Sequence, residues 1–184
     1  MSFGILVLGV FLWWGAHCFK RVMPVQRTAL GDRGKGLVAL IILASIVLMV
    51  LGFRAAPFVE VWSPPSFMVH INNLLVLIAI FMMSPAPKKG VLLNKMRHPM
   101  MVGFMLWAIA HLLVNGDAAG IVLFGGLLLW VPIQIKMINA AEPEWSPGEP
   151  GTIGKDAMFL VASVVIMVVI GLIHGWVGPW PFAS

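Results

Sequence analysis

Charge is scarce in this chain. Of 184 residues only 10% are charged while 60% are hydrophobic, against roughly 25% charged side chains in an average soluble domain. That shortage excludes an ordinary soluble fold and leaves no room for a separate soluble domain. The single cysteine, Cys18, excludes an internal disulfide and any cross-linked framework. Neither HExxH nor CxxC spacing occurs, so the common zinc patterns are missing. The chain opens on Met1, Ser2 and Phe3 with no basic stretch, and its first apolar run closes on His17, Lys20 and Arg21 without a small-residue cleavage site. That run reads as a retained helix rather than a secretory signal. Repeats at solenoid periods and transporter-type internal symmetry are also absent. The net charge of +5 sits in two short loops and not along a basic face, which excludes nucleic acid as a partner.

What the chain does have is long apolar runs. Six segments, Phe3 to Phe19, Leu37 to Phe53, Phe67 to Met83, Pro99 to Val114, Ala118 to Ile138 and Ala157 to Val177, approach the roughly 20 residues that a helix needs to cross a bilayer. They predict an all-α polytopic membrane protein, a six-transmembrane-helix bundle forming one domain over residues 1–184, with the lipid bilayer as its first partner. The loop "KRVMPVQRTALGDRGK" carries Lys20, Arg21, Arg27, Arg33 and Lys35, and "SPAPKKGVLLNKMRHP" carries Lys88, Lys89, Lys95 and Arg97 with no acid. Both belong inside by the positive-inside rule, so the N-terminus is outside. The loops "RAAPFVEVWSPPS" and "NGD" then fall outside, and the Pro- and Gly-rich "INAAEPEWSPGEPGTIGKDA" falls inside as an irregular linker. Trp176 and Trp180 suit the outer interfacial belt. Gly120, Gly125, Gly126, Gly171 and Gly175 permit close helix approach, or leave space for a flat cofactor.

The five histidines all fall at or inside these segments, where ionisable groups are costly and become functional candidates. At 1.5 Å per residue, His111 lies about 18 Å along its helix from Pro99, in the outer half. The same counting places His70 and His174 in an outer group and His17 and His98 in an inner one. Asp117 is the only acid near the outer group, which argues against zinc, whereas haem needs only one or two axial imidazoles and an apolar slot. Trp107, one turn before His111 on the same face, could stack beside a porphyrin or simply fill the core. Asn115 and Asp117 read as turn residues, and Arg97 with His98 as a boundary pair before a proline at the first helical position.

The stretch "RHPMMVGFMLWAIAHLLVNGD" resembles the NnrU family of bacterial membrane proteins, whose relatives include ζ-carotene isomerase. The matching residues are Arg97, His98, Pro99, Gly103, Trp107, His111, Asn115 and Gly116, joined by His17, His70 and His174 elsewhere in the chain. The resemblance implies a multi-pass protein of the bacterial inner (cytoplasmic) membrane linked to nitrite and nitric oxide metabolism, that is, to denitrification. The isomerase branch holds haem b and uses its iron to turn a cis double bond trans, with two histidine ligands at positions matching His17 and His111. A cysteine three residues before the second histidine can also ligate there, where this chain has Ala108. The expected cofactor is therefore haem b, held by two of His111, His70 and His17, with His174 and Trp107 as further cofactor-binding candidates. The expected chemistry is redox or isomerase-like. Depth counting sets His17 and His111 in opposite leaflets, so either the first helix extends deeper through "KRVMP" or the partner of His111 is His70 or His174, and the favoured pair is His111 with His70. Denitrification enzymes or a lipophilic small molecule are the partners implied.

Two other readings compete. "RHPMMVG" also resembles the RHPxYxG stretch of isoprenylcysteine methyltransferases, in which Arg97 and His98 would help hold a charged cofactor. This chain lacks the acidic pair that follows in those enzymes and has no tyrosine. A non-catalytic assembly factor for denitrification enzymes is the third reading, in which the outer histidines are structural and Arg97 and His98 only cap a helix start and contact headgroups.

Overall fold

The computed structural model describes residues 1–182; the last two residues of the C-terminal stretch, Ala183 and Ser184, lie outside the described residues. Among the described residues the regular elements are helices: α1 Ser2–Val22, α2 Pro24–Ala29, α3 Arg33–Ala55, α4 Met68–Met83, α5 Ala86–Lys89, α6 Pro99–Val114, α7 Ala118–Ala141 and α8 Ile153–Val177. The six apolar segments fall on α1, α3, α4, α6, α7 and α8. Four of these, α1, α3, α7 and α8, are long and apolar enough to cross a membrane, at 21, 23, 24 and 25 residues. Helices α4 and α6 have only 16 residues each, about 24 Å at 1.5 Å per residue, short of a hydrocarbon core of about 30 Å. Six equivalent spans were expected, so the count established by length is four, with two shorter apolar helices. The shortening has a local cause. Pro85 follows directly on the Ser84 cap of α4, and α6 is bounded by Pro99 at its start and the extended Asn115 at its end.

Large apolar side chains point outward all along these helices: Phe11, Leu40, Leu129 and Val161 are 68%, 62%, 64% and 64% exposed. In water each would forfeit roughly 25 cal/mol per Å² of burial, and in hydrocarbon there is nothing to forfeit. This is the surface of a membrane protein.

The chain divides into two compact units, Met1–Ser63 with Gly116–Pro143, and Pro64–Asn115 with Glu144–Ser184. In the first, α1 and α3 form an antiparallel hairpin held by close backbone approach. A Cβ on Gly9 would come within 2.8 Å of both Met49 Cγ and the Met49 nitrogen, and Gly52 lies directly against the backbone of Leu6. Without a hydrophobic drive between helices in lipid, such small residues let backbones make the dispersion contacts that hold them. The segment before α4 is clipped to the start of α7: the Val61 and Trp62 N–H groups donate to the Gly116 carbonyl at 2.8 and 3.0 Å, and Ala118 N–H donates to Val59 at 2.9 Å. Asp117 then caps α7, its Oδ1 accepting from Gly120 N–H at 2.9 Å.

In the second unit α4 and α6 meet at Gly103, where a Cβ would come 2.9 Å from the Ala79 carbonyl oxygen. Ala79, Ala108 and Ala110 are fully buried. The start of α8 is stitched to the turn after α5. Asp156 Oδ2 accepts from the Val91 and Leu92 N–H groups at 2.7 and 3.2 Å, and Gly151 N–H donates to the Gly90 carbonyl at 3.0 Å. The loop expected to be an irregular linker is thus tied down at its C-terminal end.

Candidate functional site

His17 and His111 occupy the same local setting in different units. Each follows a tryptophan by four residues on a helix, and at that spacing side chains share a face and lean toward the N-terminus. Nδ1–H of His17 donates to the Trp13 carbonyl at 2.9 Å, and that of His111 donates to the Trp107 carbonyl at 2.8 Å. A carbonyl oxygen can only accept. Nδ1 must therefore carry the proton in both rings, and in the neutral imidazole Nε2 carries the lone pair. This is the tautomer of a metal-ligating histidine whose other nitrogen is held by the protein.

The surroundings of His17 lie on α1 and α7. Its ring centroid stands 4.2 Å from that of Trp13 and 4.8 Å from that of Trp130, and the two indoles meet edge to face at 5.6 Å. Around this cluster α1 and α7 run in the same direction as a ladder. Trp14 Nε1–H donates to the Gly126 carbonyl at 3.0 Å, Cys18 Sγ to Gln134 Oε1 at 3.5 Å, and Arg21 pairs with Glu142 at 2.8 Å. Helix α7 is irregular at the same level: it passes through a π turn at Ile121–Gly125, and Pro132 lies inside it. Such departures re-aim side chains and leave carbonyls unpaired in the helical pattern. Gly126 allows the approach, since a Cβ there would meet Val10 at 2.8 Å.

In the second unit the Trp107 ring lies 4.8 Å from His111 and 5.2 Å from Phe104. Asn115 Nδ2–H donates to the His111 carbonyl at 2.7 Å, closing the helix end. His174 lies within electrostatic range of His111, and its Nδ1–H donates to the Pro179 carbonyl at 2.8 Å. His70 is exposed in the first turn of α4, and no side-chain hydrogen bond ties it among the described residues. The pairing of His111 with His70 therefore rests on depth alone, whereas His174 is an imidazole that the fold brings near His111. His98 is the N-cap residue of α6, with Arg97 just before it.

Among the described residues no group of three or more His, Cys, Asp and Glu side chains could hold a metal ion. A haem needs fewer protein donors, and the imidazoles fit that chemistry through the tautomer fixed at Nδ1. Sequence reasoning missed Trp13 and Trp130. The first could have been found, because the Trp-x-x-x-His spacing around His111 recurs at His17; Trp130 is brought in by the tertiary fold. Asn72 also went unremarked. It is only 7% exposed, and its buried Oδ1 has no hydrogen-bond partner among the described residues.

The family model described as NnrU protein matches residues 5–181. The chain belongs to the NnrU family. No curated protein and no solved structure matches it. The residues quoted above for this family, Arg97 to Gly116 with His17, His70 and His174, all lie inside the matched span.

Proposed function

We propose that this NnrU-family protein binds haem b, which His111 would hold through Nε2. The observation that supports this is the fixed tautomer: the main chain holds Nδ1–H and leaves Nε2 as the basic nitrogen, which is what an iron ligand must offer. Haem would supply electron transfer or ligand binding at iron. The chain supplies the oriented imidazole, an apolar setting and the Trp107 ring against it. His174, near His111 in the same unit, is the candidate for the second ligand, ahead of the exposed His70; His17 is built the same way in the first unit. We read the role as redox or isomerase-like chemistry in nitrite and nitric oxide metabolism at the bacterial inner membrane, with all six apolar helices crossing and the N-terminus outside.

The test is an absorption spectrum of the detergent-purified protein, oxidised and dithionite-reduced, beside His111→Ala, His17→Ala, His174→Ala and His70→Ala. The wild type should show a Soret band and sharp reduced α and β bands. His111→Ala and His174→Ala should lose them, with His17→Ala and His70→Ala unchanged. A protein that stays colourless when haem is supplied overturns the proposal.

A further inference from the structure

His17 and His111 are held by carbonyls of their own helices, but His174 is held from outside its helix. After α8 the chain reverses. Gly178 N–H donates to the His174 carbonyl at 2.8 Å, and the next residue, Pro179, returns its carbonyl to His174 Nδ1 at 2.8 Å. The tail then lies back along α8. Gly171 and Gly175, one turn apart on the same face, form a notch without side chains. Trp180 seats against Gly175, where a Cβ would meet its Cε3 at 2.5 Å, and Phe182 seats against Gly171. The two rings brace each other edge to face, with centroids 5.5 Å apart. Pro179 and Pro181 flank Trp180 and fix their φ angles, which lowers the entropy lost in forming this hook.

We propose that the C-terminal hook, residues 178–182, is a clasp that sets the tautomer of His174, holding its proton on Nδ1 and presenting Nε2 as a bare acceptor or metal-ligating nitrogen. A free neutral imidazole exchanges between two tautomers, and here the Pro179 carbonyl selects one of them. The glycine notch determines whether that carbonyl is in place. Pro179 and Trp180 are thereby positioning residues for an imidazole near His111. The inference rests on the hook alone and not on haem.

The test is a long-range proton–nitrogen NMR spectrum of histidine-labelled protein in detergent, under dithionite, for the wild type, a chain ending at Gly178, and Gly175→Leu, which fills the seat of Trp180. In the wild type His174 should show a pyrrole-like Nδ1 and a pyridine-like Nε2. In at least one variant the His174 pattern should shift to Nε2–H or average, while His17 and His111, tethered to their own helices, hold theirs. Three results overturn the clasp: a wild-type His174 with Nε2–H, an unchanged pattern in both variants, or a joint change of all three histidines, which would make the hook a general fold element. A colourless protein would remove the haem reading and leave this result standing.

Discussion

Trp13 and His17 are joined twice, once through the main chain, where the imidazole Nδ1–H reaches the Trp13 carbonyl at 2.9 Å, and once through their rings, 4.2 Å apart. Trp107 and His111 repeat both links at 2.8 Å and 4.8 Å. The two links have different consequences. The main-chain bond fixes which nitrogen carries the proton, and the indole only walls the ring.

Replacing the indole should therefore leave ligation intact. Trp107→Leu keeps the carbonyl and hence the tautomer, so its haem content should stay within a few-fold of wild type, whereas losing the hydrogen bond to that carbonyl would cost roughly 10–100-fold in affinity. Haem content by pyridine haemochrome, Trp107→Leu beside His111→Ala, reads this directly. Equal losses in the two variants would mean that the indole, not the carbonyl, organises the site.

The α1/α3 hairpin makes a paired prediction about glycine. Ala is favoured over Gly by about 1 kcal/mol in a helix, and at Gly15, with nothing within 4 Å of a new Cβ, Gly15→Ala should be neutral or stabilising. At Gly9 the new Cβ would meet the Met49 nitrogen at 2.8 Å, a backbone atom that cannot swing away. Overpacking of that kind costs about 1–3 kcal/mol, so Gly9→Ala should lower the midpoint of thermal unfolding in detergent. A Gly9→Ala protein as stable as wild type would show that the hairpin is looser than described.

Asp156 is 2% exposed and accepts two main-chain N–H groups from the turn after α5. Hydrogen bonds to charged groups contribute about 1.5–3 kcal/mol. Asp156→Ala should cost at least about 2 kcal/mol in stability on that basis, while Asp156→Asn, which keeps one acceptor oxygen, should cost less. Amide exchange at Val91 and Leu92 should speed up in Asp156→Ala first. Unchanged exchange there would dissociate the carboxylate from the turn.

The helices were legible because apolar runs bounded by proline and basic clusters write themselves into composition, and all six segments fall on helices. The short helices α2 and α5 were not legible, since each occupies a basic loop with proline at its start, Pro24 in one and Pro87 in the other, and local polarity masks a single helical turn or two. Candidate histidines could be named from the sequence, but not their settings. That Trp130 would stand beside His17, or Pro179 beside His174, depends on how α7 packs on α1 and how the tail reverses, and neither leaves a periodic signal. The exposure of His70 was equally hidden, because depth along a helix says nothing about which face a side chain takes.

The hydrogen bonds between loops predict that α4 and α6 cross the bilayer despite having 16 residues each. Val61 and Trp62 bond to Gly116, so the chain before α4 and the chain after α6 lie on one side. Gly151 and Thr152 bond to Gly90 and Lys89, so the turn between α4 and α6 lies with the linker that follows α7. The turn carrying Lys88 and Lys89 belongs inside by the positive-inside rule, and with the chain around Ser63 on the other side α4 and α6 must each cross. A core of about 30 Å exceeds their length by about 6 Å, a mismatch met by local thinning at a modest cost per ångström. In a Cys18→Ser background, single cysteines at Ser63 and Lys89 should therefore react with an impermeant maleimide from opposite faces of oriented vesicles, Ser63→Cys from outside and Lys89→Cys only after permeabilisation. Labelling of both from one face would mean that α4 and α6 are re-entrant, and would reduce the crossings to the four helices long enough to span unaided.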